Sequence, residues 1–313
     1  MTILGWSGFI GSWITATLMT AMEIGLDVRL KLYSRNGALS LRDLKDGVRR
    51  KVEVERVDFS EVIPRDAIDS DFLLIASTPT SKKHGIANHD SVNQSTEILS
   101  RFLIENYSNM NCKPTNIVHL SSGAIYQCYR SSSVPYSENE DIQTDSRSSY
   151  IMSKIKFEET LRSIALTNPN LKISNPRLFS FYGPGLPLNE HFAIGNFILD
   201  ASLGRPLRIL GNPETTRSYL HISDLTVTLI KLLINPFPGA INLGSENQIS
   251  MIDLAGLICR KFSCKSIVMK ENSDDYSYYV PRTSRAQELF GEIETVDFLK
   301  GLKDWMTWIE RYS

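Results

Sequence analysis

Gly5-Trp6-Ser7-Gly8-Phe9-Ile10-Gly11-Ser12 is the stretch that decides the fold. A short apolar run, Met1 to Leu4, precedes it, and an apolar-periodic stretch, Trp13 to Ile24, follows it. The order is strand, glycine turn, helix. Glycines so placed let the backbone turn tightly, approach a pyrophosphate and pack helix on strand, while the helix N-terminus faces the anion. The spacing is G-x-x-G-x-x-G rather than G-x-G-x-x-G, and a plain turn can carry the same triplet. Read as a ligand loop, it offers Gly5, Ser7, Gly8, Phe9, Ile10 and Gly11 as cofactor contacts.

Asp27 to Leu32 reads as the next strand, with Val28, Leu30 and Leu32 alternating with charged residues. It runs into Tyr33-Ser34-Arg35-Asn36. In a dinucleotide fold this strand end faces the adenosine ribose, where a carboxylate would accept from the hydroxyls of NAD. Ser34 and Arg35 offer a hydroxyl and a cation instead, which suits the 2′-phosphate of NADP. NADP(H) is therefore the favoured cofactor and NAD(H) the other possibility; a solvated loop cation is the plain alternative for Arg35.

The alternation continues. Val52 to Val57 reads as a strand, and Asp58-Phe59 as a turn that could meet the adenine. Phe72 to Ala76 is a buried strand whose end, Ser77-Thr78, is small enough for a ribose to come close. Val92 to Ile104 has helical periodicity, and Asn116 to Leu120 is a strand leading into Ser121-Ser122-Gly123-Ala124-Ile125-Tyr126. Strand and helix in alternation imply an α/β fold with a doubly wound parallel sheet. Ligands collect at the carboxyl ends of such strands. Gly5, Ser34, Ala76 and Ser122 all fall there, which points to one common site.

Tyr150-Ile151-Met152-Ser153-Lys154 opens a helical stretch. Residues i and i+4 share a helix face, so Tyr150 and Lys154 point to the same place. An isolated phenol titrates near 10, and a fixed ammonium beside it favours the phenolate and prepares it as a proton shuttle. Alone, such a pair is also an ordinary feature of helix surfaces.

Composition narrows the classes. The chain has 313 residues and a formal net charge of −1, which gives no electrostatic reason to expect nucleic acid or an anionic membrane as partner. Four cysteines, Cys112, Cys128, Cys259 and Cys264, form no zinc-like spacing. No apolar run reaches the length of a membrane span, and no basic stretch precedes the apolar N-terminus, so a cytoplasmic protein is expected.

Gly5-x-x-Gly8-x-x-Gly11, Ser122, Tyr150-x-x-x-Lys154, Arg177 to Gly185 and the Arg217-Ser-Tyr-Leu segment, in that order, resemble the extended short-chain dehydrogenase/reductases. Within them the likeness is to the nucleotide-sugar epimerase, dehydratase and ketoreductase branch. The resemblance implies a Rossmann domain over 1–178 and 217–247, with a smaller substrate domain over 179–216 and 248–313. It implies a catalytic triad of Ser122, Tyr150 and Lys154, with Ser121 as the rival serine. Tyr150 would exchange the proton, Ser122 would bind the reacting oxygen, and Lys154 would lower the tyrosine pKa and hold the nicotinamide ribose. Arg177 joins the cofactor set. Thr78, Ser122, Gly123, Ser180, Arg217 and Arg282 form the substrate set, with Arg217 on the sugar-nucleotide diphosphate or else in a structural salt bridge. A homodimer is implied by analogy.

The departures narrow the chemistry. Dehydratases of the branch carry Asp-Glu directly after the catalytic hydroxyl residue, where this chain has Gly123 and Ala124. Ser180 replaces an asparagine usual in the Arg177 to Gly185 motif. The expected reaction is reduction of a keto group on a nucleotide-diphosphate hexose with NADPH. The alternative is a 4-epimerase with tightly bound NAD, ahead of a dehydratase or a non-catalytic NADP-binding sensor.

Overall fold

The computed structural model describes residues 1–35, 39, 44–61, 63–77, 89–107, 115–127, 133–142, 144, 146, 148–188, 192–264, 266–269 and 276–312, without the side chains of 89–91. Its strands in chain order are β1 Thr2–Leu4, β2 Leu30–Ser34, β3 Val52–Arg56, β4 Phe72–Ile75, β5 Thr115–His119, β6 Ser121–Ser122, β7 Leu171–Leu178, β8 Phe181–Tyr182, β9 Leu207–Ile209, β10 Thr216–Ser218, β11 Leu220–His221, β12 Gly239–Leu243, β13 Gln248–Ser250, β14 Ile267–Met269 and β15 Tyr278–Tyr279. The helices are α1 Phe9–Glu23, α2 Asp46–Arg49, α3 His89–Tyr107, α4 Ser149–Thr167, α5 Ala193–Ser202, α6 Ile222–Ile234, α7 Met251–Phe262, α8 Ser284–Phe290 and α9 Phe298–Tyr312.

The main sheet has the order β12-β7-β5-β4-β1-β2-β3, with β6 on β7. β1 pairs in parallel with β2 and β4, β2 with β3, β4 with β5 and β5 with β7. This is the doubly wound parallel sheet expected. The central strands β1 and β4 are buried almost throughout because helices cover both faces, whereas the edge strand β3 exposes Glu53, Glu55 and Arg56. Leu73 and Ile75 of β4, Ile117 of β5 and Ile173 of β7 pack against Leu99, Leu103 and Tyr107 of α3 and Phe157, Leu161 and Ile164 of α4. Each such side chain contributes about 1.5–3 kcal/mol on burial. On α1 the residues Ile14, Leu18 and Met22 recur at helical spacing and are buried.

The chain forms two compact units, 1–122 with 144–177 and 226–241, and 123–143 with 178–225 and 242–313. The second unit takes in 217–225, assigned from sequence to the Rossmann domain. The reason is pairing: Arg217 in β10 stands opposite Ile249 of β13 and Tyr279 of β15. This unit also carries the parallel pairs β8–β11 and β9–β14. Its α9 buries Trp305 completely. Among the described residues no helix is long and apolar enough to cross a membrane.

Candidate active site

The glycine turn follows β1. Gly5 has φ +90, a conformation that favours glycine, and a Cβ there would lie 2.8 Å from the backbone of Ala76 and Ser77. The ends of β1 and β4 thus touch through bare backbone. Gly11 is tighter still: a Cβ would lie 2.3 Å from the Gly5 carbonyl oxygen and 2.8 Å from Trp6 Cα. Gly8 is the N-cap of α1, makes no side-chain cap, and is followed by no acidic residue in the first turn. Ser7 and Gly8 are exposed and Phe9 and Ile10 half-buried. The N-terminus of α1 thus carries no side-chain cap and no acidic side chain, an end of a helix that favours an anion. Ser77 Oγ, at the end of β4, is buried and has no hydrogen-bond partner among the described residues. Bare backbone, a helix N-terminus without a side-chain cap and this hydroxyl fit a dinucleotide.

Ser34 ends β2, buried, and its carbonyl accepts from the Val57 amide. Arg35 is half-exposed. Hydrogen bonds from Ser60, helped by the charges of Arg35 and Arg56, hold the Asp58 carboxyl below its ordinary value. Phe59 is 5% exposed and belongs to the core with Tyr33 and Val57, because its ring is turned inward and not to the turn's surface. Thr78 lies outside the described residues.

Tyr150 and Lys154 stand on the first turns of α4, which Ser148 caps by accepting from the Ile151 amide. The Ser122 hydroxyl lies close enough to the Tyr150 phenol to favour its phenolate. Lys154 Nζ lies 5.9 Å from the Tyr150 ring centroid and donates to the Leu120 carbonyl. Burial pushes the Tyr150 phenol up and outweighs the effect of that hydroxyl. Burial also pushes the Lys154 ammonium down to about 7, against the pull of Glu158. Desolvation thus dominates both groups and outweighs any lowering of the Tyr150 phenol. His119, beside them, is held well below its ordinary value by burial and by the Lys154 charge.

The neighbouring serine has another partner. Ser121 Oγ donates to Glu158 Oε1, so Ser122 and not Ser121 meets Tyr150. Arg177 is also on Glu158, with Nη2 to Oε2 at 2.8 Å and Nε to Oε1 at 3.2 Å. Glu158 was missed from sequence. Its signal was the spacing Tyr150, Lys154, Glu158, which is i, i+4, i+8 on one helix face.

In the second unit, Arg217 donates to the Thr216 and Ser277 carbonyls and to Ser277 Oγ at 2.7 Å, with its guanidinium over the Tyr279 ring. None of these partners is a carboxylate. Ser180 is half-buried and its carbonyl accepts from the Leu220 amide. Arg282 is exposed. Gly123 is buried, and a Cβ there would lie 2.7 Å from the Phe179 ring.

The profile of the NAD dependent epimerase/dehydratase family matches residues 1–244. Among curated relatives, the chain is similar to UDP-glucuronic acid decarboxylase 2 of Arabidopsis thaliana, 28% identical over 158 residues, or 50% of this chain and 35% of that protein. UDP-glucuronic acid decarboxylase 3 of the same organism is 30% identical over 158 residues, 50% of this chain and 46% of that protein. The chain thus spans less than half the length of the curated relatives it matches. A UDP-N-acetylglucosamine 4-epimerase from Methanobrevibacter ruminantium M1, solved with UDP-N-acetylmuramic acid, has a TM-score of 0.84 at 19% identity, covering 100% of this chain and 98% of that one. UDP-glucose 4-epimerase from Thermotoga maritima, solved with UDP-glucose, gives 0.81 at 19% identity and covers 99% of each chain. A dTDP-glucose 4,6-dehydratase from Bacillus anthracis, solved with NAD, gives 0.79 at 17% identity, covering 99% of this chain and 96% of that one. At these identities the likeness is one of fold. The family description names NAD, and these relatives lend no support to the NADP(H) preference drawn from Ser34 and Arg35.

Proposed function

This chain belongs to the NAD dependent epimerase/dehydratase family, and we propose that it oxidises and re-reduces one ring carbon of a nucleotide-diphosphate sugar, with 4-epimerisation as the net result. The observation that carries this reading is the placing of the Ser122 hydroxyl beside the Tyr150 phenol, with Lys154 one turn further along α4. Bound NAD would supply a hydride acceptor and donor for that carbon. Tyr150 Oη takes the proton of the sugar hydroxyl as the carbon becomes a ketone, and returns it when the carbon is reduced again. Ser122 donates to the same sugar oxygen and keeps it in line with Tyr150. Lys154 favours the phenolate while Tyr150 lacks its proton. The glycine turn and the α1 amides hold the pyrophosphate of the cofactor.

Elimination is disfavoured because no acid or base follows Ser122. Gly123 leaves no room for one, since the Phe179 ring occupies the Cβ direction. Arg217 is the proposed cation for the sugar-nucleotide diphosphate: Ser277 and Tyr279 hold its guanidinium, and no carboxylate among its described partners neutralises it.

A second reading, reduction of a keto sugar with NADPH, rests on Ser34 and Arg35, which leave no carboxylate at the end of β2 to repel a 2′-phosphate. One experiment separates the two. The purified protein is incubated with UDP-glucose, UDP-N-acetylglucosamine, UDP-glucuronate and a 4-keto UDP-hexose, with NAD or NADPH added or withheld, and the products are read by NMR. A C4 epimer formed without net cofactor consumption supports the proposal. Carbon dioxide from UDP-glucuronate would move the chain to decarboxylation, and no conversion of any sugar would sink both readings.

A further inference from the structure

Glu158 stands one helical turn beyond Lys154, on the α4 face that also carries Tyr150. Two residues from other elements hold its carboxylate. Ser121 Oγ of β6 donates to Oε1, and the Arg177 guanidinium of β7 donates to both oxygens. The site is nearly dry, with the Arg177 and Glu158 side chains 6% and 12% exposed. A buried ion pair loses in desolvation most of what it gains in attraction, so stability alone is a poor reason for one. Its place along the helix supplies another. We propose that Glu158 is a positioning residue of the active site: it provides the counter-charge for the Lys154 ammonium, and Ser121 and Arg177 fix the carboxylate for that purpose. This rests on the roles given above to Tyr150 and Lys154.

The surroundings of Lys154 leave that task to Glu158. On α4 it faces Tyr150 and Glu158. From β5 and the residue after it come His119 and the Leu120 carbonyl. Ser77 beyond β4 and Ser95 and Thr96 of α3 line the small cavity beside it. His119 is kept neutral by burial and by the Lys154 charge itself, with Asn175 on its Nδ1. Among these groups Glu158 is the one carboxylate, and its charge is what opposes the loss of the Lys154 proton on burial. Remove the charge and burial acts unopposed, so the ammonium becomes neutral at lower pH and a phenolate at Tyr150 loses its support.

The test is an NMR titration of the full chain carrying lysine labelled with carbon-13 at Cε, with the Lys154 resonance assigned by its loss in Lys154→Arg. In Glu158→Gln the Lys154 midpoint should fall by about one pH unit or more, the scale of a buried charge partner. In Ser121→Ala, which frees one anchor of the carboxylate, it should fall by less and in the same direction. A folded Glu158→Gln with the wild-type midpoint overturns the proposal. If that variant does not fold, an unchanged midpoint in Ser121→Ala overturns it instead. The titration needs no substrate, so the two readings fail separately: a fully active Tyr150→Phe would sink the catalytic assignment and leave any midpoint shift standing.

Discussion

The hydroxyls of Ser122 and Tyr150 are brought side by side, one from the short strand β6 and the other from the first turn of α4. Tyr150→Phe removes the phenol that moves the proton and keeps the ring. Turnover should fall about 100-fold or more, the scale of general acid–base catalysis. Binding of NAD, followed by direct titration, should barely change. Near wild-type turnover in this variant would contradict the assignment.

Arg217→Met keeps most of the side-chain volume and removes the charge. A charge-assisted contact to phosphate is worth about 1.5–3 kcal/mol, so affinity for a UDP-sugar should fall about 10- to 100-fold. Cofactor affinity should be untouched. Isothermal titration with UDP-glucose and with NAD reads both, and equal loss of the two would count against a diphosphate role.

Gly8 and Gly11 should separate binding from folding. A Cβ at Gly11 would lie 2.3 Å from the Gly5 carbonyl oxygen, so Gly11→Ala forces α1 away from the turn. Urea unfolding should show a loss of about 1–3 kcal/mol, the usual scale of overpacking. At Gly8 the nearest contact of a Cβ is 3.4 Å, an ordinary distance. Gly8→Ala should therefore fold normally and lose NAD binding, because the added methyl stands on the exposed approach to the α1 amides. Wild-type NAD affinity in Gly8→Ala would remove the turn from the cofactor site.

The parallel sheet was legible because strands and helices alternate along the chain and are punctuated by glycine, serine and polar turns. That Tyr150 and Lys154 share a face of α4 was legible from helical spacing, and only the resemblance to a family singled the pair out from ordinary helix-surface pairs. What the local sequence does not carry is which distant group each side chain meets. Ser121 and Ser122 are adjacent and chemically alike, and the pleat of β6 sends one to Glu158 and the other to Tyr150. Arg177 looked like a cofactor cation within its motif, whereas β7 lies where its guanidinium reaches Glu158 of α4. Phe59 looked like a turn residue and is core. For Arg217, the partners Ser277 and Tyr279 come from far along the chain, through pairing with a two-residue strand that has no pattern of its own.

Lys154 should leave a mark on stability as a function of pH. Its folded ammonium titrates at about 7, against 10.5 for an ordinary lysine. Between those values the unfolded chain holds a proton that the folded chain lacks, so folding is favoured as pH rises through this window. Below it both states are charged and the dependence vanishes. The unfolding free energy of wild type relative to Lys154→Met should therefore climb above pH 7, by up to about 1.4 kcal/mol per pH unit. Denaturant unfolding across that range reads the slope; a flat or falling difference would mean that the folded lysine keeps its proton.

The most direct test of the proposed reaction follows one isotope. UDP-glucose and UDP-N-acetylglucosamine carrying deuterium at C4 are incubated with the protein and NAD, and the recovered sugars are read by NMR and mass spectrometry. The predicted result is a C4 epimer that retains deuterium at C4, with no net formation of reduced cofactor, because the same carbon loses and regains its hydride between Tyr150-assisted proton transfers. Stoichiometric consumption of NADPH by a keto sugar, with no epimer from either substrate, would contradict it.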